Sequence, residues 1–412
     1  MLIQLGENAC RAKKFLAKAG TNEKNKALLE IAKQLKERCG EILDANAKDI
    51  EQAKASGMPN GMVDRLLLTQ ERVESMANGV EQVASLDDPV GKTIAGYKRP
   101  NGLEIHKVTV PLGVVAIIYE SRPNVTADAA ALCLKSGNAV ILRGGKEAIH
   151  SNIAISEIMR DAVESCGFDK DVIQLVQDTS RESANELMRM TDYVDVLIPR
   201  GGASLIKAVV ENAKISIIET GTGNCHVCVD KYADLEMAVN VLFNAKTSRI
   251  SVCNSCESLV VHKDIAESFL PMAKEKLDTK NVEMRGDEEA CAILPDIKKA
   301  TEEDFGTEYL DYIISVKVVD TLDEAIEHIN KYSTGHSESI ITNDYESSRK
   351  FMAEVDSAAV YVNASTRFTD GGEFGEGAEI GISTQKLHAR GPMGINQLTS
   401  VKFLIFGNGQ TR

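Results

Sequence analysis

From Val108 onward, short β-branched runs alternate with helical patterns across Gly-rich turns, and this alternation restricts the fold more than any other feature. Val114-Val115-Ala116-Ile117-Ile118 is apolar at every position, as a strand buried on both faces requires. Ala127–Leu134 is an Ala-rich helix pattern running toward Gly137, and Ala139-Val140-Ile141-Leu142 is a second strand leading into Arg143-Gly144-Gly145-Lys146. A helical stretch follows through Val163. Val172–Val176 and Val194–Ile198 read as two more strands, the last ending at Pro199-Arg200-Gly201-Gly202. Strand, helix, strand with short turns implies right-handed crossovers and a doubly wound parallel sheet.

The second half repeats the texture. Strand patterns fall at Ile215–Ile218, His226–Val229, Leu259–Val261, Ile313–Val319 and Ser339–Thr342, with a helix over Thr321–Tyr332. A chain of 412 residues exceeds one ordinary core, so a second α/β unit running from Glu219 to Val355 is expected. The first ~85 residues read as amphipathic helices, including Asn25–Lys36 and Ile42–Lys54. Thr93–Tyr97 and Leu103–Val110 form a hairpin pattern around Pro100-Asn101-Gly102, and the tail from Ile395 to Gly407 is also extended. A surface flap and a ribbon that adds to a partner subunit's sheet both fit these two segments.

Composition narrows the function. The hydrophobic fraction of 43% supports folded cores, and a net charge of −14 repels nucleic acid. No apolar run reaches the ~18 residues a membrane span needs. Met1–Gly6 lacks a basic region followed by an apolar core, so no signal peptide is expected. Nine cysteines, an odd and scattered set, suit a reducing cytoplasm.

Two CxxC pairs, Cys225–Cys228 and Cys253–Cys256, raise a structural zinc knuckle as one reading. The 24-residue gap between them is long, and a strand over His226–Val229 would send Cys225 and Cys228 to opposite faces. Cys253 has another reading, as a nucleophile. It follows Lys246-Thr247-Ser248-Arg249, and it precedes Asn254 and Glu257 at an expected helix start; positive charge and a helix dipole both favour thiolate. A buried, inert cysteine fits the local sequence equally well. The two glycine turns, 143–146 and 199–202, each carry a basic residue, which suits approach to a phosphate; an ordinary turn is the alternative.

Longer patterns select among these readings. Pro111-Leu112-Gly113-Val114-Val115, then Asn124, then Gly137-Asn138-Ala139-Val140-Ile141 resemble the aldehyde dehydrogenase superfamily. Glu219-Thr220-Gly221 resembles that superfamily's base motif, 34 residues before Cys253, and Thr307-Glu308-Tyr309 and Asp323–Ile326 resemble its later segments. Glu120-Ser121-Arg122-Pro123-Asn124-Val125-Thr126, Gly223-Asn224-Cys225-His226, Asn244–Asn254, and the histidines of Ala325–Ile329 and Ser333–Glu338 resemble one family within it, the gamma-glutamyl phosphate reductases. The resemblance covers nearly the whole chain. Cys256 departs from it, standing where relatives often have a small residue.

The resemblance implies an α/β, aldehyde dehydrogenase-like fold: two doubly wound parallel-sheet domains plus an oligomerisation β-hairpin arm. Residues 1–91 and 111–218 would bind the nucleotide, 219–355 would carry the nucleophile, 92–110 and 395–412 would form the arm, and 356–394 would return to the nucleotide domain. It implies reduction of L-glutamyl 5-phosphate to glutamate 5-semialdehyde by NADPH, in proline biosynthesis. Cys253, Asn124 and Glu219 would be catalytic. Arg143, Lys146, Arg200, Gly201, Gly202 and Glu308 would bind cofactor, and Arg122, Arg249 and His336 substrate. No metal is expected. A homo-oligomer and a separate glutamate 5-kinase are the expected partners. Another acyl-reducing or aldehyde-oxidising superfamily member is the alternative.

Overall fold

The computed structural model describes residues 2–412. The chain divides into two compact units. The first comprises residues 1–220, 375–381 and 393–412, the second 221–374 and 382–392. The expected return segment, 356–394, is therefore split. Its first part stays in the second unit, and only 375–381 and the stretch from Met393 belong to the first.

In the first unit, β1 (Thr93–Lys98) and β2 (Glu104–Pro111) form the expected antiparallel hairpin. Its turn is closed by Gly102 N–H donating to the Arg99 carbonyl at 2.9 Å, with Gly102 at φ +90, a backbone state glycine adopts without strain. Next comes a parallel sheet of β3 (Val114–Tyr119), β4 (Ala139–Arg143), β5 (Ile173–Leu175) and β6 (Val196–Arg200), in the order β5-β4-β3-β6. All six residues of β3 are buried, as its unbroken apolar run predicts. The helix Asn124–Lys135 is buried over nearly its whole surface, which its alanines permit by keeping it thin. It stops where Gly137 enters the left-handed region at φ +76. Ile215–Ile218, read as a strand, makes only an isolated bridge between Ile217 and Leu197.

The second unit holds a parallel sheet of seven strands: β7 (Cys225–Val229), β8 (Cys256–His262), β9 (Glu283–Gly286), β10 (Lys298–Lys299), β11 (Ile313–Val319), β12 (Ser337–Ile341) and β13 (Ala359–Val362). Their order is β10-β9-β11-β8-β7-β12-β13. Helices cover both faces. Val227, Val229, Leu259 and Val261 pack against Leu242, Phe269 and Leu270 in one core cluster. Cys228, Val260 and Ile340 pack against Ile326, Ile329 and Phe351 in another. Cys228 thus points to the face opposite Val227 and Val229, so β7 cannot form a zinc knuckle turn. β14 (Ile382–Ser383) and β15 (Gly391–Pro392) form a small antiparallel pair.

The tail ends in β16 (Thr399–Phe406), which joins the first unit by pairing antiparallel to β2. The arm is therefore a three-stranded ribbon, β1-β2-β16, with β16 at its edge. Among the described residues no helix is long and apolar enough to cross a membrane.

Candidate functional site

In the second unit, four loops run into the amino ends of the adjacent strands β11, β8, β7 and β12. They carry Glu308, Cys253, Gly223 and His336 respectively. Cys253 is partly buried in the turn between the helix Leu235–Thr247 and β8. The expected helix start after it is absent: Glu257 is the second residue of a buried strand. The chain reaches Cys253 from a helix C-terminus, so no helix dipole favours its thiolate.

Neighbours fix the Cys253 backbone from several sides. A Cβ on Gly223 would land on the Cys253 carbonyl, so only glycine admits this approach. The Cys225 thiol donates to that carbonyl at 3.1 Å. The Asn254 amide donates to the Thr369 carbonyl at 3.0 Å, and the Asn254 carbonyl accepts from Thr366 Oγ1 at 2.8 Å. The Asn254 side-chain oxygen accepts from the Arg367 guanidinium, whose Nε also donates to Ser248 Oγ at 3.0 Å. Gly223→Ala is expected to lower kcat about 100-fold, since displacement of a reacting group by about 1 Å can cost that much. A steady-state assay on folded protein checks it, and wild-type turnover would refute the close-approach argument.

Of the expected residues in this unit, Arg249 is exposed beside this turn. Glu308 Oε1 accepts the Gly223 N–H at 2.8 Å. Burial raises the Glu308 carboxyl pKa, with Gly223 and His336 pulling it back. His336 does not meet its expectation. It is fully buried, with Nδ1 2.8 Å from Ser337 Oγ and 3.7 Å from Cys225 Sγ. A direct substrate contact needs an accessible edge, so His336 backs the Cys225 thiol instead. The base of the Cys253 loop is closed by Lys246, in the last turn of the preceding helix, and Glu257, in β8. Their 2.5 Å ion pair is entirely buried.

In the first unit, the winding reverses between β3 and β6, and ligands of open parallel sheets bind beyond the strand carboxyl ends at such a reversal. Exposed Gly201 and Gly202 stand there, at the start of the helix Ala203–Asn212. The Glu120 carboxylate already accepts the Gly202 N–H at 3.0 Å. The N–H groups of Ala203 and Ser204 have no i−4 carbonyl at a helix start and suit an added phosphate. Arg143, on the neighbouring strand, donates through Nη2 to the Thr179 and Ser180 carbonyls at 2.8 and 3.0 Å; its buried Nε is unpartnered. Lys146 is exposed. This set fits a phosphorylated nucleotide, with Lys146 the more available cation.

Arg122 and Asn124 follow a turn pinned by Glu147, whose Oε1 accepts from both the N–H and the Oγ of Ser121. Asn124 opens its helix, exposed, with its amide donating to Asp128 Oδ2 at 2.9 Å. Burial pushes the Asp128 carboxyl up to about 6, opposed by Asn124 and Arg200. Glu219 is partly exposed at the end of this unit. Since the folded Asp128 pKa exceeds the unfolded value of ~3.9, the folded state holds the proton more tightly. The stability this confers is complete below about pH 4 and is lost as pH rises through about 6. Asp128→Asn, which keeps an acceptor for Asn124, is therefore expected to raise stability at pH 8 by up to about 2–3 kcal/mol and to change it little at pH 4. Thermal melts at both pH values check this, and an equal difference at both would refute it.

The aldehyde dehydrogenase family model matches residues 4–307 and 292–404. A gamma-glutamyl phosphate reductase of Clostridium perfringens is 61% identical over 411 residues, covering 100% of this chain and 99% of that protein. The chain belongs to the gamma-glutamyl phosphate reductase family of aldehyde dehydrogenases. The crystal structure of the Thermotoga maritima gamma-glutamyl phosphate reductase superposes with a TM-score of 0.97 at 50% identity, covering 100% of this chain and 99% of that one. An acetylating aldehyde dehydrogenase from Geobacillus thermoglucosidasius, at 21% identity and a TM-score of 0.72 over 99% and 97% of the two chains, shares the fold. Like its gamma-glutamyl phosphate reductase relatives, the chain is an oxidoreductase of the aldehyde dehydrogenase superfamily.

Sequence reasoning missed Arg367, Glu120, Glu147 and Asp128. Glu120 lies inside the family segment Glu120–Thr126 and was recoverable from it. Asp128 stands four residues after Asn124 on one helix face, which was a usable signal. Arg367 lies in a Ser/Thr-rich loop with no motif around it.

Proposed function

We propose that this gamma-glutamyl phosphate reductase family member reduces L-glutamyl 5-phosphate to L-glutamate 5-semialdehyde and inorganic phosphate with NADPH, through a thioester on Cys253, as a step of proline biosynthesis. The observation that carries the reading is the clamping of the Cys253 backbone by Gly223, Cys225 and Asn254, which gives a partly exposed thiol a fixed point of attachment.

The Cys253 thiolate attacks the acyl carbon and forms a C–S bond. The C–O bond to phosphate breaks, and its electron pair leaves on the phosphate oxygen. The resemblance gives Asn124 the role of donor to the oxyanion of the tetrahedral intermediate, with the Cys253 N–H as second donor; such donors contribute roughly 3–4 kcal/mol each. NADPH held in the first unit's nucleotide site would supply the hydride that the thioester carbon takes up. The C–S bond then breaks, its pair returns to sulfur, and aldehyde is released. Gly201, Gly202 and Arg200 would hold the cofactor phosphates, with Arg143 and Lys146 toward a 2′-phosphate and Glu308 toward a ribose hydroxyl. Arg122 and Arg249 would contact substrate. Glu219 has no hydrolytic step to catalyse and would shape the site.

The reverse reaction tests this reading. Glutamate semialdehyde and NADP should yield NADPH in multiple turnovers only when inorganic phosphate is present. Turnover independent of phosphate would overturn it in favour of an aldehyde-oxidising enzyme.

The arm supports a homo-oligomer as part of the same proposal. β16 is an edge strand with Val401, Phe403, Leu404, Ile405 and Phe406 exposed, the last at 54%. An apolar edge of this kind is normally covered. Phe403→Glu with Ile405→Glu should shift the protein to monomer by size-exclusion chromatography with light scattering. An unchanged mass would contradict this.

A further inference from the structure

Arg367 and Arg249 are the arginines that flank the Cys253 turn. The chain carries a net charge of −14, and Arg11, Arg38, Arg72, Arg160, Arg285 and Arg390 each form an ion pair with a carboxylate. Among the described residues, neither Arg367 nor Arg249 does. Arg367 is held instead by neutral acceptors, Ser248 Oγ and the Asn254 side-chain oxygen, at the two ends of the Cys253 turn. Two of its five N–H groups are committed to that seating, and a planar fork so fixed can offer others to an anion. Burial and the nearby Arg249 cation both lower the Arg367 pKa, while the Cys253 sulfur and Asp370 raise it; Arg249 lies in the same turn whose two ends Arg367 bridges. Like charges near one another, with Asp370 the carboxylate that acts on Arg367, favour the arrival of a further anion. The helix before the turn supplies no positive end, so these side chains are the source of positive potential at this place.

We infer that Arg367 and Arg249 form the seat for the phosphoryl group of the acyl phosphate, which makes Arg367 a leaving-group-binding residue and selects acyl phosphates over other activated acyl groups. The inference rests on the function proposed above. The chemistry explains why phosphate, and not the amino-acid head, meets this pair. The phosphate oxygen is bonded directly to the carbon that Cys253 attacks, whereas the head group lies at the far end of the substrate's methylene chain. As the C–O bond breaks, negative charge grows on that oxygen, and a fixed guanidinium fork stabilises it.

The test separates acylation from phosphate binding. With glutamate semialdehyde and NADP but no phosphate, one equivalent of NADPH should form in a burst as the thioester accumulates. With phosphate, turnover should continue. Arg367→Gln is expected to raise KM for phosphate at least 10-fold while leaving the burst amplitude intact, and Arg367→Lys should recover part of the loss. Arg249→Gln, at an exposed position with no ion pair among the described residues, should raise the same KM with little effect on folding. A second readout uses alkylation of Cys253 by anionic iodoacetate and neutral iodoacetamide. The ratio of the two rates should fall several-fold in Arg367→Gln and Arg249→Gln, and inorganic phosphate should protect the wild type only. If burst and turnover fall together with KM for phosphate and the alkylation ratio unchanged, Arg367 merely positions Asn254 and the inference is overturned. If wild-type turnover needs no phosphate, the functional reading itself fails, a result distinguishable from the first.

Discussion

Cys253→Ala is expected to lower kcat for phosphate-dependent NADPH formation by at least about 10⁴-fold, as removal of a covalent nucleophile does elsewhere. The loss should be chemical and not structural. The side chain is small and partly exposed, and the groups that seat residue 253 act on its backbone: the Cys225 thiol on its carbonyl, and Gly223 by close approach. The melting temperature should therefore stay within roughly 2 °C of wild type. Glu219→Gln should cost much less, because the proposed reaction contains no water-activating step. Losses of equal size for the two variants would refute that ranking, and appreciable residual turnover in Cys253→Ala would remove the thioester from the mechanism.

The second large effect is on stability. Lys246→Met should destabilise the protein by about 3–5 kcal/mol at pH 8, because it strands the Glu257 carboxylate in a buried site. Both side chains are fully buried, and burial already pushes Glu257 up to about 7 even with Lys246 pulling it down. Removing the cation raises Glu257 further. The variant's penalty should therefore shrink as pH falls and Glu257 takes a proton, leaving less of a deficit at pH 6 than at pH 8. Lys246→Met combined with Glu257→Gln should regain much of the loss, since glutamine can still accept the Leu310 N–H that Glu257 now accepts at 3.2 Å. Chemical denaturation at both pH values measures this. A cost below about 1 kcal/mol for the single variant, or no recovery in the double, would contradict it. Activity should fall too, because the pair closes the base of the loop that carries Cys253.

The parallel strands were legible because burial on both faces leaves an unbroken apolar run, as in Val114–Ile118. β9, Glu-Met-Arg-Gly, and the two-residue β10 were not: they lie toward one edge of the sheet, where polar side chains face solvent and the pattern resembles a loop. Ile215–Ile218 has the composition of a strand, but it meets β6 only at Leu197, through the Ser216 carbonyl and the Ile218 N–H, which is one bridge and not a ladder. At the site, ordered motifs singled out Cys253, and of the two local electrostatic reasons for its reactivity the helix start is absent, whereas the neighbouring Arg249 cation remains. Asn254 to Glu257 has the polar, acidic look of a helix start, yet Glu257 is acidic because Lys246 needs a buried counter-ion. His336 was read as a contact from its motif, and burial removes it from the surface. Arg367 lies 114 residues from Cys253 (from 253 to 367), and only the folding of its loop over Asn254 brings it near. No spacing rule could have found it.

The central claim is that Cys253 carries the glutamyl group. The direct measurement is mass spectrometry of the protein mixed with glutamate semialdehyde and NADP in phosphate-free buffer, quenched in acid and digested. One glutamyl adduct should appear on the peptide containing Cys253, equal in amount to the NADPH formed, and phosphate added before the quench should discharge it. NADPH formation with no adduct on Cys253, or with the adduct on Cys225 or Cys256, would contradict the account.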